Sequence, residues 1–122
     1  MLGPFSADER GRTAIVKILL VEDSRSIRLE NERALSRAGY EVICAADGEE
    51  AIRFAREQQP DLVLLDLLLP KMTGIEVLAH LKGEPETCSI PVVVVSGLSD
   101  KNREKLLAAG ADDYLEKAAL AG

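Results

Sequence analysis

The stretch Asp61-Leu62-Val63-Leu64-Leu65-Asp66-Leu67-Leu68-Leu69-Pro70 decides the fold. Its unbroken apolar run, Leu62 to Leu65, reads as a strand buried on both faces, the habit of parallel sheets. Asp66 ends that run. A lone carboxylate is costly inside such a strand, but at its C-terminal end it stands where open α/β sheets bind ligands. A second apolar run, Val16-Lys17-Ile18-Leu19-Leu20-Val21, ends in Glu22 and Asp23. If the two strands are neighbours, three acids crowd one rim. Like charges that close repel, so they need a cation or a proton. An oxygen-only site of this kind suits Mg²⁺.

Working outward, strands are expected over residues 16–21, 41–46, 61–66, 92–96 and 113–116, with helices between them. Ser24 caps the first helix, which runs to about Ala38 with Ile27, Ala34, Leu35 and Ala38 turned inward and Gly39 at its end. Asp47 caps a second to about Gln58, with Ala51, Ile52 and Ala55 inward and Pro60 just beyond. Thr73 and Gly74 open a third to about Lys82. After a loop over 83–90, Asp100 caps a shorter helix to Ala109, closed by Gly110. Strict βα alternation implies a parallel sheet with right-handed crossovers. The expected architecture is a flavodoxin-like, doubly wound α/β fold with five strands in the order 2-1-3-4-5. That order brings Glu22, Asp23, Asp66, Ser96 and Lys117 to one rim from four distant segments.

Composition sets the outer limits. The 122 residues suggest one domain, and 47% are apolar, enough for a sizeable core. Residues 1–14 mix Gly, Pro, Ser and charges without periodicity and read as a flexible tail before a domain over 15–122. The formal net charge of −6 argues against a nucleic-acid surface. No apolar stretch approaches the ~20 residues of a membrane helix. Cys44 and Cys88 have no CxxC spacing, which fits free thiols in a reduced, cytoplasmic setting. His80 reads as a surface residue, and the mixed charges of 25–37 as a solvated helix face.

Asp66 can be considered as a nucleophile toward a phosphoryl group. Both are negative, so a divalent metal held by Asp23 and Asp66, with Glu22 assisting, would cancel the repulsion. Phosphoryl transfer needs positioning and charge neutralisation above all. Lys117 supplies a point charge and Ser96 a hydroxyl donor to phosphoryl oxygens. The product is an aspartyl phosphate.

The chain resembles the receiver domains of bacterial two-component response regulators. The match is carried by Leu19-Leu20-Val21-Glu22-Asp23-Ser24, by Asp61 to Asp66 with Pro70 and Gly74, by Pro91-Val92-Val93-Val94-Val95-Ser96-Gly97, and by Ala109-Gly110-Ala111-Asp112-Asp113-Tyr114-Leu115-Glu116-Lys117. The resemblance implies that Asp66 accepts a phosphoryl group from a phosphohistidine of a sensor kinase or histidine phosphotransfer protein. It implies Mg²⁺ held by Glu22, Asp23, Asp66 and the backbone carbonyl of Leu68, with Ser96 and Lys117 on the phosphoryl group. Tyr114 falls where the family places a switch aromatic, which turns inward as Ser96 moves toward the phosphoryl group and alters a surface read by a downstream protein.

The sequence departs from the family twice. Ala118 follows Lys117 where proline is usual. Only five residues follow Lys117, so the fifth helix is expected to be truncated or absent. An apolar patch on that sheet face would then be bare, closed by a partner or by a second copy in a homodimer. Two other functions are weighed. One is a Mg²⁺-dependent phosphohydrolase with an aspartyl nucleophile, which would need a second acid where Leu68 stands. The other is an interaction module indifferent to phosphorylation.

Overall fold

The computed structural model describes residues 5–7, 13–96 and 103–116 of the chain. Five strands form one parallel sheet: β3 (Lys17–Val21), β4 (Glu41–Ala45), β5 (Leu62–Asp66), β6 (Val92–Ser96) and β7 (Asp113–Glu116). Their spatial order is β4-β3-β5-β6-β7, the expected 2-1-3-4-5. The apolar runs become β3, β5 and β6 because only strands covered on both faces tolerate them.

Four helices cross between the strands: α1 (Arg25–Arg37), α2 (Gly48–Gln58), α3 (Gly74–Gly83) and α4 (Arg103–Ala108). Asp47 caps α2 by accepting from the backbone N–H of Glu50 at 2.9 Å, and Thr73 caps α3 by accepting from that of Glu76 at 3.2 Å. Ser24 stands at the start of α1 but makes no side-chain cap. Its N–H instead donates to the Glu22 carboxylate at 3.1 Å, so the acidic pair takes over the turn. Asp100 lies outside the described residues.

The larger core lies on one face of the sheet. Leu19, Val21, Val63, Leu65, Val92 and Val94 meet Ala51, Ile52 and Ala55 of α2, Val77, Leu78 and Leu81 of α3, and Leu106 of α4. Each large aliphatic side chain fully buried there is worth roughly 1.5–3 kcal/mol. Thr87, wholly buried, donates its hydroxyl to the Leu81 carbonyl at 2.7 Å and ties the loop after α3 to the same layer.

The opposite face corrects two expectations. Ala34 and Ala38 are exposed, and α1 has no buried residue. The helix turns half-buried Ile27, Arg28, Asn31, Glu32 and Leu35 toward the sheet instead, because polar groups at its N-terminal half find partners there. Nor is the centre of this face bare among the described residues. Ile18, Leu20, Leu64 and Val95 are only 2–5% exposed, with Leu35 and Tyr40 packed against them. The surrounding Val16, Val42, Cys44, Leu62, Val93 and Leu115 are half-buried.

A further difference lies at the start of the chain. Residues read as a loose tail include β1 (Phe5–Ala7) and β2 (Thr13–Ile15), paired antiparallel. The Gly, Pro and charged residues around them mask a three-residue strand pattern. Both cysteines are free, Cys44 half-buried and Cys88 exposed. No helix among the described residues is long and apolar enough to cross a membrane.

Candidate functional site

Strand register assembles the rim. Val21 is level with Leu65 on the neighbouring strand, so the next residues, Glu22 and Asp66, leave adjacent strands side by side. On the other flank Asp66 is level with Val95, which puts Ser96 one step beyond. Ser96 is in turn level with Glu116 on β7. Carboxylate oxygens of Glu22, Asp23 and Asp66 all lie within 4.8 Å of one another. Two carboxylates at that spacing repel by about 3 kcal/mol at an effective dielectric near 20.

Burial sharpens the effect. Glu22 is 3% and Asp66 4% exposed, while Asp23 opens to water. Glu22 is held at both ends: its N–H donates to the Ala45 carbonyl at 3.0 Å and its carboxylate accepts from Ser24. Asp66 accepts from the N–H of Leu68 at 3.2 Å. The donor set is oxygen-only, charged, and open on one side, which fits a small hard cation that keeps several waters.

The backbone behind Asp66 is fixed by a glycine. A Cβ on Gly74 would stand 2.6 Å from the Asp66 carbonyl oxygen and 2.7 Å from the Cα of Leu67. Only glycine lets α3 begin that close to the chain carrying the Asp66 carboxylate. Its N–H donates to the Leu67 carbonyl at 2.9 Å. The intervening loop includes Lys71 in a left-handed conformation, φ 65°, and Leu68, 63% exposed beside the rim.

Ser96 is 1% and Tyr114 3% exposed. The Tyr114 ring therefore already occupies an inward position. Lys117, Ala118, Gly97 and Leu98 lie outside the described residues. His80 is exposed on α3. Arg28, in sequence part of a solvated face, donates its Nη1 to the carbonyl of Glu22 at 2.8 Å and to that of Asp23 at 3.4 Å. Its spacing, one helical turn after the cap, was the available signal.

A doubly wound parallel sheet with three carboxylates crowded at the ends of its first and third sheet strands, and a buried hydroxyl near them, defines a class: acidic-rim α/β domains whose clustered carboxylates could hold a metal ion. The chain belongs to the response regulator receiver domain family, whose pattern it matches over residues 18–121. It is 44% identical over 102 residues to the probable transcriptional regulator ycf27 of Porphyridium aerugineum, covering 83% of this chain and 41% of that protein. It is 42% identical over 103 residues to the alkaline phosphatase synthesis transcriptional regulatory protein PhoP of Bacillus subtilis, covering 83% and 42%. The chain thus spans about two-fifths of the length of these relatives. Among solved structures it resembles Vibrio cholerae chemotaxis protein CheY4, with TM-score 0.79, 33% identity, and 85% and 88% of the two chains covered. The BeF3-activated N-terminal receiver domain of Klebsiella pneumoniae RstA gives TM-score 0.78 at 32% identity, covering 86% and 92%.

Proposed function

We propose that Asp66 is the phosphoacceptor of a regulatory switch, loaded from a phosphohistidine of a sensor kinase or histidine phosphotransfer protein. A carboxylate oxygen of Asp66 attacks phosphorus of a phosphohistidine protonated at its other ring nitrogen, the P–N bond breaks, and its electron pair returns to the nitrogen that carried the phosphoryl group, leaving neutral histidine and an acyl phosphate. Glu22, Asp23, Asp66 and the Leu68 carbonyl would hold Mg²⁺, which supplies charge neutralisation between carboxylate and phosphoryl oxygens. Ser96 donates its hydroxyl to one phosphoryl oxygen and Lys117 provides a positive charge to another. The observation that carries this reading is the convergence of the three carboxylates within 4.8 Å.

The phosphoryl group then biases a two-state element. Ser96 moves toward it, and Tyr114 occupies the space released. With the ring already inside, the loaded state needs little further movement there. The reader of the changed surface is a downstream protein, in a cytoplasmic setting. A second copy is also a proposed partner; it would meet the half-buried rim of Val42, Leu62, Val93 and Leu115. We keep direct nucleic-acid contact out of the role of residues 15–122 on the strength of the −6 charge. The transcriptional regulators among the relatives are about twice as long.

The test separates a switch from an enzyme. With acetyl phosphate and Mg²⁺, a switch takes up one phosphoryl group per chain, lost in Asp66→Asn. Continuous phosphate release from small phosphomonoesters would support the hydrolase. Absence of uptake, with beryllofluoride also unbound, would leave a phosphorylation-independent interaction module.

A further inference from the structure

Arg28 is the residue of α1 whose position no packing argument explains. It is half-buried on a helix with no buried residue, and it reaches back across the turn from which the helix starts. One guanidinium nitrogen accounts for two contacts: 2.8 Å to the Glu22 carbonyl and 3.4 Å to the Asp23 carbonyl. These are the peptide oxygens of the two acids that end β3. A planar guanidinium holds two acceptors at fixed angles, which an ammonium on a flexible stem does not.

Polar side chains neighbour the arginine. Glu32, one turn further along α1, accepts from the Cys44 thiol at 3.3 Å. Burial, that hydrogen bond and the Glu32 charge push the thiol up to about 12, and Arg28 acts in the opposite sense. Arg28, Glu32 and Cys44 therefore form one polar layer between α1 and the sheet, directly behind the acidic rim. Asn31 extends it, lining the cleft beside Glu22 and Asp66.

We infer that Arg28 is a positioning residue of the acidic site: it clamps the carbonyls of Glu22 and Asp23 so that their carboxylates are held toward Asp66 before any cation arrives. The inference rests on the reading of that site as a Mg²⁺ site. Its energetic logic is preorganisation. Two like-charged side chains left on a loose turn would swing apart, and a cation would then have to gather them. Partners behind a metal's ligands are commonly worth about 10–100-fold in affinity.

Mg²⁺ binding by calorimetry, on the full chain, tests this together with hydrogen exchange at the Ser24 amide and the thermal midpoint without metal. Arg28→Ala is expected to weaken Mg²⁺ by about tenfold, to speed Ser24 exchange, and to move the metal-free midpoint little. Arg28→Lys, which reaches one carbonyl at a time, should recover part of the affinity. Unchanged affinity with a lowered midpoint would make Arg28 a merely structural residue and overturn the inference. So would tighter Mg²⁺ binding, which would mean that its charge only repels the cation. If Arg28→Ala does not fold, the lysine variant decides: affinity equal to wild type overturns the clamp. A wild-type chain that binds no Mg²⁺ removes the metal reading itself, and this inference with it; a wild type that binds alongside an unaffected variant removes only the clamp.

Discussion

The two ends of the same parallel strands treat their carboxylates in opposite ways. At the base, where strands begin, Asp61 and Asp112 accept from backbone N–H groups distant in sequence. Asp61 accepts from the N–H of Lys17 at 2.8 Å. Asp112 accepts from the N–H of Val92 at 2.8 Å and from Lys82 Nζ at 2.9 Å, and that same ammonium reaches the Ile90 carbonyl at 2.8 Å. At the rim, where strands end, Glu22, Asp23 and Asp66 crowd one another within 4.8 Å. Base acids tie the start of one strand to another element; rim acids are gathered at some cost to stability. The contrast teaches that position along the strand decides whether an acid is part of the fold or part of the chemistry. Sites of function commonly carry such a cost.

The largest expected effect separates the ends by activity. Asp66→Asn should abolish phosphoryl uptake, measured by intact mass, while Asp112→Ala, remote from the rim, should leave the uptake rate of the folded protein unchanged. Loss of uptake in both would dissolve the distinction.

Next comes the glycine behind the acceptor. Gly74→Ala must displace backbone at Asp66 and Leu67, and should cost about 3 kcal/mol in chemical denaturation while slowing uptake. Gly83→Ala, with nothing within 4 Å of the added carbon, should stabilise slightly, by about 0.4–1 kcal/mol. Equal costs would mean that the close approach at residue 74 is not constraining.

The base carries a pH-sensitive contact. The Val92 N–H holds the Asp112 carboxyl below the ordinary carboxylate range, against a desolvation that raises it, with Lys82 adding to the lowering. A depressed folded value stabilises above the ordinary range, and that contribution is lost as pH falls through the folded value. Because the Asp112 side chain is half exposed, water screens the contact, and Asp112→Ala should cost no more than about 1 kcal/mol at neutral pH; the gap to wild type should narrow as pH falls through the folded value, below the ordinary carboxylate range. A gap that persists in acid would assign the cost to something other than the charge.

The smallest effect has the opposite sign. Asp23→Asn, relieving repulsion at an exposed position, should stabilise the metal-free protein by about 0.5 kcal/mol at low salt. Destabilisation of that size or more would show that the rim acids are not strained against one another.

Much of this was legible in the chain. The runs Leu19 to Val21, Leu62 to Leu65 and Val92 to Val95 fixed three central strands, because apolar side chains on both faces leave few alternatives. Asp47 and Thr73 announced their helices through cap chemistry. Strand order then brought Glu22, Asp23, Asp66 and Ser96 together. What stayed hidden depends on contacts made by polar side chains. Arg28, Asn31 and Glu32 look like solvated charges in sequence, and the alanines at 34 and 38 look like a core face. The structure reverses this, since carbonyls of the β3–α1 turn and the Cys44 thiol supply polar partners that periodicity does not record. The hairpin of β1 and β2 stayed hidden because three-residue strands carry too little pattern to rise above their Gly- and charge-rich surroundings. The buried Thr87 was equally silent, its place set by one carbonyl of α3.

The most direct measurement is the thermal midpoint as Mg²⁺ is titrated, for wild type, Asp23→Asn and Asp112→Ala. A ligand that binds only the folded state at a hundred times its dissociation constant stabilises by about 2.7 kcal/mol. The midpoint should rise with Mg²⁺ in wild type and in Asp112→Ala, and stay nearly flat in Asp23→Asn. A midpoint that ignores Mg²⁺ in wild type, or rises equally in Asp23→Asn, would contradict a rim built to hold that cation.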